Sequence, residues 1–225
     1  MIHNTFIKTS ENIRLAALIH EECLVSFSGG KDSLVVLDLC IKAFKKVVCF
    51  FMYFIPGLCV VERQLEYART RYGVQILQYP HWILMRNIKN GNYFPAHYRY
   101  DDLPELKLSD IYKIIQQDTG INLIAIGAKS GDSLWRKYNL HNADKKYKNV
   151  IYPIIEWNKF DVLAYLKMQN IPVPDSSAGN ATGIDLSTPS LLWLHDKYPE
   201  DFKKLCNYFP YAEAVVYRRA WYGIQ

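Results

Sequence analysis

The sequence predicts an α/β protein in which parallel strands are covered by helices on both faces. Two observations carry this prediction. Short apolar runs alternate with stretches whose apolar residues recur every three or four positions, as strands and amphipathic helices do. The strand candidates are apolar throughout rather than at alternate positions, which indicates burial on both faces of a sheet. We expect an α/β domain over residues 1–174 and a small helical extension packed on it over residues 175–225.

The first half of the chain contains three predicted strands and two predicted helices. The strands are residues 23–27, 46–54 and 74–78, which are rich in apolar and β-branched side chains. The intervening helices are indicated by apolar stripes at helical spacing: Leu34, Leu37, Ile41 and Phe44, then Val61, Leu65, Ala68 and Tyr72. Gly73 stands where a helix C-cap is expected.

The second half begins with an interruption. Residues 81–104 are aromatic and basic, and we interpret them as a functional or capping insertion. A helix at 108–118, a strand at 121–126, a strand within 149–155 and a helix capped by Asn158 follow. The last fifty residues look helical. Thr188-Pro189 is a predicted helix start, and Pro199 and Pro210 separate two further short helices.

Composition excludes several classes of protein. The 225 residues are 50% hydrophobic and 22% charged, with a net charge of +5, which suits a globular domain that tolerates an anionic ligand. No apolar run approaches the roughly 20 residues of a membrane span, and the first residues lack an apolar signal segment. The five cysteines contain no C-x-x-C pair, and the histidines show no metal-ligand spacing. We therefore expect a reduced, cytoplasmic protein without a zinc site, an iron–sulfur cluster or membrane contact.

The sharpest motif is Ser28-Gly29-Gly30-Lys31-Asp32-Ser33, between the first predicted strand and helix. The glycines let backbone N–H groups approach a phosphate, the helix start adds its positive dipole end, and Lys31 adds a full charge. Ser33 is also a candidate helix cap. A Walker A loop is excluded, because Val25 and Asp32 stand where it needs glycine and Ser or Thr. An ordinary glycine turn is the alternative interpretation.

This loop, with Val25-Ser26-Phe27 before it, resembles the pyrophosphate-binding PP-loop, whose pattern is SGGxDS. The chain looks most like the phosphoadenosine phosphosulfate (PAPS) reductase branch of the adenine nucleotide alpha-hydrolase-like fold. Two later segments are similar to segments of that branch: residues 127–136 (GAKSGDSLWR) and residues 152–157 (YPIIEW), the second followed by Asp161-Val162 and Ile171-Pro172. The resemblance covers residues 22–174, about two thirds of the chain.

The resemblance implies a parallel five-stranded sheet that binds an adenine nucleotide. Most relatives cleave ATP, with Mg²⁺, between the α and β phosphates and adenylate an acceptor, whereas sulfonucleotide reductases attack PAPS with a C-terminal cysteine. That cysteine's motif is missing here, since the chain ends AWYGIQ and Cys206 lies in KLCNY. ATP cleavage is therefore the preferred activity. The alternatives are a PAPS-type ligand handled without the usual cysteine and a non-catalytic accessory subunit of a nucleic-acid modification or defence complex.

Site residues follow from the motifs. Lys31, Asp32, Lys129 and Arg136 are the candidate catalytic residues; Asp32 orients the loop or helps to hold Mg²⁺, and Lys129 and Arg136 are further phosphate or sulfate contacts. The candidate nucleotide contacts are Ser26, Ser28, Gly29, Gly30, Lys31, Ser33, Tyr53, Gly127 and Asp132. The adenine is placed near the end of the second strand, beside Tyr53, by the rule for open α/β sheets.

Partners beyond the nucleotide are less defined. Relatives are often homodimers, so the resemblance implies a homodimer as one candidate assembly. The basic run at 136–148, the insertion at 81–104 and the segment YRRAWY at 217–222 could each contact a nucleic acid. Solvated surface or core aromatic residues are the commoner interpretation of such segments, and it is preferred here.

Overall fold

The computed structural model describes residues 2–95, 97, 100–132, 149–177 and 184–223. Within these residues, five strands form one sheet in the order β3-β2-β1-β4-β5. The strands are β1 (Glu22–Ser26), β2 (Lys46–Tyr53), β3 (Gln75–Pro80), β4 (Ile124–Ile126) and β5 (Val150–Ile151). β1 pairs in parallel with both β2 and β4, and β4 pairs in parallel with β5. The predicted α/β class with a five-stranded parallel sheet is confirmed.

In chain order, α-helices precede, connect and follow these strands. They are α1 (Ile2–Ile19), α2 (Lys31–Ile41), α3 (Cys59–Tyr72), α4 (Leu84–Lys89), α5 (Leu108–Thr119), α6 (Lys159–Met168), α7 (Thr188–Lys197), α8 (Pro199–Tyr208) and α9 (Ala214–Tyr222). The C-terminal helices confirm the expected helical character of the last fifty residues. The cap of α7 is Ser187 rather than Thr188, so the predicted start was wrong by one residue.

Helix α1 was not predicted, because its apolar residues do not mark its buried face. Ile7, Leu15 and Leu18 are exposed, whereas Thr9 and Ile13 are buried. Trp157, itself buried, donates its indole N–H to the Thr9 hydroxyl at 2.8 Å. The helix is thus placed by a polar contact as well as by apolar packing, and helical periodicity does not detect such a contact.

Helices α2 and α6 pack through a buried polar contact. The Asp38 carboxylate accepts hydrogen bonds from the Tyr165 hydroxyl at 2.7 Å and from Lys42 Nζ at 2.6 Å. Burial, together with the hydrogen bond to Asp38, raises the pKa of Tyr165, so this hydroxyl stays a donor. The start of α6 is the expected Asn158 cap, whose side chain accepts from the N–H groups of Phe160 and Asp161.

The chain divides into two compact units. The first includes the residues up to Phe51, then Leu65–Leu77 and Lys113–Pro174; the second comprises Met52–Gln64, Gln78–Tyr112 and the residues from Asp175 onward. Both units are built from segments that are separate along the chain. The domain bounds expected from the sequence stay a prediction.

Long-range contacts hold the second unit together. Buried Asp201 of α8 accepts hydrogen bonds from the backbone N–H groups of Cys59 and Val60, both at 2.8 Å, and so caps the start of α3. Lys204 donates to the carbonyl of Gly57 at 2.7 Å. These contacts, rather than the apolar periodicity of residues 52–64, make the segment part of this unit. Among the described residues, no helix is both long and apolar enough to cross a membrane.

Candidate phosphate-binding site

The loop after β1 has the backbone of an anion cradle. Gly29 has a φ of +72°, in the left-handed region that glycine adopts at no steric cost. Gly30 is the N-cap of α2 in an extended conformation and, having no side chain, leaves the first helical N–H groups without a side-chain cap. Such N–H groups, at the positive end of a helix dipole, are suited to bind an anion.

Two serine hydroxyls form hydrogen bonds within this loop. Ser28 Oγ lies 3.2 Å from Ser33 Oγ, and Ser33 Oγ donates to the Gly30 carbonyl at 2.9 Å. Ser33 is therefore not the helix cap that the sequence indicates, because it lies inside the first turn of α2. The Ser33 hydroxyl proton is used within the loop, so the contact that the sequence predicts between Ser33 and a phosphate would have to come from the backbone N–H. Ser28 is exposed.

Asp32 holds two lysines, one on each carboxylate oxygen. Lys31 Nζ is 3.0 Å from Oδ2, and Lys129 Nζ is 2.5 Å from Oδ1. The side chain of Lys129 is only 4% exposed, against 19% for Lys31 and 24% for Asp32. A buried ammonium group needs such a partner, because desolvation without one is costly. The three side chains carry a net charge of +1 beside the start of α2.

Gly127 lets the loop after β4 approach the loop after β1. A Cβ atom at Gly127 would lie 3.0 Å from the backbone carbon of Asp32 and 3.1 Å from the backbone nitrogen of Ser33. The following residues are fixed in turn, since both the N–H and the hydroxyl of Ser130 donate to the Ile155 carbonyl at 2.9 Å. Gly127 thus acts by close packing, which places Lys129 against Asp32.

The strand order shows where the two loops meet. β2 and β3 lie on one side of β1, and β4 and β5 lie on the other. The order reverses between β1 and β4, which is where open α/β sheets bind ligands. Ser26 is the last residue of β1 and pairs with Phe50 and Ile126 on its two neighbours. Tyr53 ends β2, one strand away from this switch point, so its role toward adenine stays a prediction.

Two further candidates from the sequence are less defined. Asp132 ends a short 3₁₀ turn, Ser130–Asp132, that follows Lys129. Arg136 and the basic run at 136–148 lie outside the described residues. The roles predicted for them stay predictions.

The cysteines differ in burial. Cys23, Cys40 and Cys49 are buried, Cys206 is partly buried and Cys59 is exposed. Burial, with a smaller contribution from Glu213, raises the pKa of Cys206 to about 11. Only the thiolate form of cysteine is nucleophilic, and at neutral pH almost all of Cys206 is in the thiol form. Cys206 is therefore a poor nucleophile.

Comparison with known proteins decides the family. Residues 22–175 match the phosphoadenosine phosphosulfate reductase domain. The chain belongs to this family. The matched range contains both loops described above and all five strands, which confirms the resemblance inferred from the motifs.

Two further comparisons show what the chain is similar to. The chain is 28% identical over 162 residues to an uncharacterized protein of Methanocaldococcus jannaschii; the alignment covers 68% of this chain and spans only 33% of that protein. The fold is similar to the crystal structure of phosphoadenylyl-sulfate (PAPS) reductase from Candida auris in its phosphate complex. That match has a TM-score of 0.51 and 16% identity, and covers 74% of this chain and 82% of the reductase. At this identity the likeness shows the fold.

Proposed function

We propose that this PAPS reductase-family chain binds an adenine nucleotide with its phosphates on the loop from Ser28 to Ser33, and that it cleaves ATP between the α and β phosphates. The observation that carries the proposal is the shared carboxylate of Asp32. It holds Lys31 from the β1 loop and Lys129 from the β4 loop at the switch point of the sheet. Two cations and a helix start then act on the same phosphate groups.

The exposures of the two lysines assign them different tasks. Lys129 is almost completely buried and lies 2.5 Å from Asp32, so it orients the carboxylate and supplies a fixed charge. Lys31 is more exposed, at 3.0 Å from the other oxygen, so its ammonium group is the one that turns to a bound phosphate. Both oxygens of Asp32 face ammonium groups. This arrangement fits the orienting role better than direct coordination of Mg²⁺.

The proposed reaction breaks one phosphoanhydride bond. A nucleophilic atom of the acceptor attacks the α phosphorus, a new bond to the adenylyl group forms, and pyrophosphate leaves with the electrons of the broken bond. The acceptor's proton passes to solvent. The loop N–H groups and Lys31 stabilise the charge that grows on the departing pyrophosphate. Mg²⁺, bound with the nucleotide by its phosphates, would neutralise part of that charge.

A sulfonucleotide such as PAPS is the second candidate ligand, favoured by the family of the matched domain. The same loop would then hold its phosphates. The raised pKa of Cys206, the last cysteine of the sequence, leaves that thiol a poor nucleophile at neutral pH. Reduction of the sulfate would then use two thiols of a partner protein. The first attacks the sulfate sulfur and displaces adenosine 3′,5′-bisphosphate, and the second attacks the sulfur of the first, so that sulfite leaves and the two thiols end as a disulfide.

The test is calorimetric titration with ATP–Mg²⁺ and, separately, with PAPS. We expect Lys31→Ala to weaken binding of the true ligand by about tenfold or more, the scale of a hydrogen bond to a charged group. Lys46→Ala is the matched control. Lys46 is an exposed lysine at the start of β2, and it pairs with the start of β1 rather than with the end that leads into the glycine loop. Pyrophosphate release with ATP supports the first candidate, and thiol-dependent sulfite release from PAPS supports the second. Absence of binding by both nucleotides would overturn the proposal.

A further inference from the structure

Helix α9 presents an unusual concentration of exposed aromatic rings. Tyr217 is 62% exposed, Trp221 is 83% exposed and Tyr222 is 76% exposed. Together with Arg218, which is also exposed, they form a surface that we call the aromatic ladder. Aromatic side chains of this size are highly buried on average, and a contiguous exposed patch of them is typical of an interaction site.

Helical spacing arranges the ladder in two rows. Tyr217 and Trp221 are four residues apart, as are Arg218 and Tyr222, so each pair lies on one face of the helix. Successive members of a row are separated by about 6 Å along the axis, from the rise of an α-helix. One row therefore offers two flat rings in succession, and the other places a cation next to them.

The side of α9 that lies opposite Tyr217 and Trp221 is fixed. Val215 is buried, and Arg219 binds the carboxylate of Asp196 on α7 through two hydrogen bonds of 2.6 and 2.7 Å. That ion pair lowers the pKa of Asp196, so the carboxylate stays charged at neutral pH. The helix is anchored on this side, and the ladder faces solvent as a preformed surface.

Arg218 is the positive charge of the ladder. It makes no ion pair with any of the described residues, whereas Glu213, the exposed N-cap residue of α9, carries a negative charge four residues before Tyr217. The complete chain carries a net charge of +5. A polyanion is therefore attracted to the protein as a whole, and Arg218 is available to a phosphate group.

We propose that the aromatic ladder binds single-stranded nucleic acid. Bases stack on Tyr217 and Trp221, and Arg218 contacts the backbone phosphate beside them. Exposed rings interleaved with a cation are the usual surface for such binding, which is tolerant of base sequence because every base has a flat face. A lipid-inserting helix keeps its cations on the face opposite its apolar residues, whereas Arg218 lies among the rings. This proposal is independent of nucleotide cleavage by the loop after β1.

The test is fluorescence anisotropy with labelled single strands of uridine or thymidine, about 20 nucleotides long. We expect Trp221→Ala and Tyr217→Ala each to weaken binding by about tenfold, the lower part of the range for one stacked base. We expect Arg218→Ala to lower the slope of log affinity against log salt by about 0.7. Phe160→Ala is the matched control, because Phe160 is 78% exposed on α6 in the first unit.

Several results would overturn the proposal. One is strand binding that the three ladder variants leave unchanged, which would place the nucleic acid elsewhere on the chain. Another is absence of binding to the single-stranded nucleic acid. Binding to anionic vesicles, or a dimer that Trp221→Ala abolishes, would then show that the exposed rings serve a different partner. Because the substituted side chains are exposed, we expect the variants to have the melting temperature of the wild type. An unchanged melting temperature separates loss of binding from loss of folding.

Discussion

A methyl group added at Gly127 tests how tightly the two loops of the candidate site are packed. In Gly127→Ala the new Cβ would lie 3.0 and 3.1 Å from backbone atoms of Asp32 and 3.1 Å from the backbone nitrogen of Ser33. These atoms belong to the first turn of α2, so they cannot move away as the end of a flexible side chain would. Either the helix start shifts or the loop after β4 withdraws.

The expected cost follows from the contact distances. Overpacking a well-filled site costs typically about 1–3 kcal/mol. In a chain of this size, each kcal/mol lowers the melting temperature by about 2–4 °C, so we expect a fall of about 2–12 °C. Withdrawal of the β4 loop would also lengthen the 2.5 Å contact between Lys129 and Asp32, so nucleotide affinity should fall together with stability.

The assay is thermal unfolding followed by circular dichroism, with calorimetric titration of the same samples. Gly131→Ala is the control on the same loop, because a Cβ added there would meet no atom within 4 Å and the φ of Gly131 is not positive. We expect that variant to melt at nearly the wild-type temperature and above Gly127→Ala. Equal melting temperatures and equal affinities for Gly127→Ala and Gly131→Ala would refute the packing argument.

Three further predictions concern other contacts. Asp201→Asn should lower the melting temperature, because it weakens the charged cap on α3. A hydrogen bond to a charged group contributes about 1.5–3 kcal/mol. An unchanged melting temperature would show that the cap is dispensable. Asp32→Asn should also lower the melting temperature, because buried Lys129 loses the carboxylate charge 2.5 Å from its ammonium group, whereas Glu156→Gln, at an exposed ion pair, should leave it nearly unchanged; equal effects of the two substitutions would contradict this. With a thiol reagent we expect exposed Cys59 to react first, while the rate at Cys206 rises about tenfold per pH unit up to its pKa of about 11; a pH-independent rate at Cys206 would contradict the raised pKa.

The sheet could be predicted from the sequence because its signal is local. The apolar run of β2 and the helical stripe of α2 depend on neighbouring residues only. β4 is shorter than predicted, Ile124–Ile126 instead of 121–126, although Ile121 and Leu123 are buried. The buried residues there begin before the paired strand does. An apolar run in the sequence indicates which residues are buried, so it predicted a longer strand than the one that pairs.

The parts of the site that the sequence did not predict depend on distant contacts. The motif indicated Lys31 and Lys129 separately, but the carboxylate that joins them lies 97 residues from the second lysine. The cap on α3 comes from Asp201, 142 residues after the N–H of Cys59. No local pattern encodes such pairs, because they exist only once the strands are ordered in space.

The separation between the two lysines has a consequence for synthesis of the chain. β4 enters the sheet beside β1 only after β2 and β3 have been made. A nascent chain on the ribosome therefore has the glycine loop and Lys31 long before Lys129 can reach Asp32. Nucleotide capture that needs both cations would begin only when the loop after β4 has emerged from the exit tunnel, and a ligand present in the cell could then lock the new strand in place.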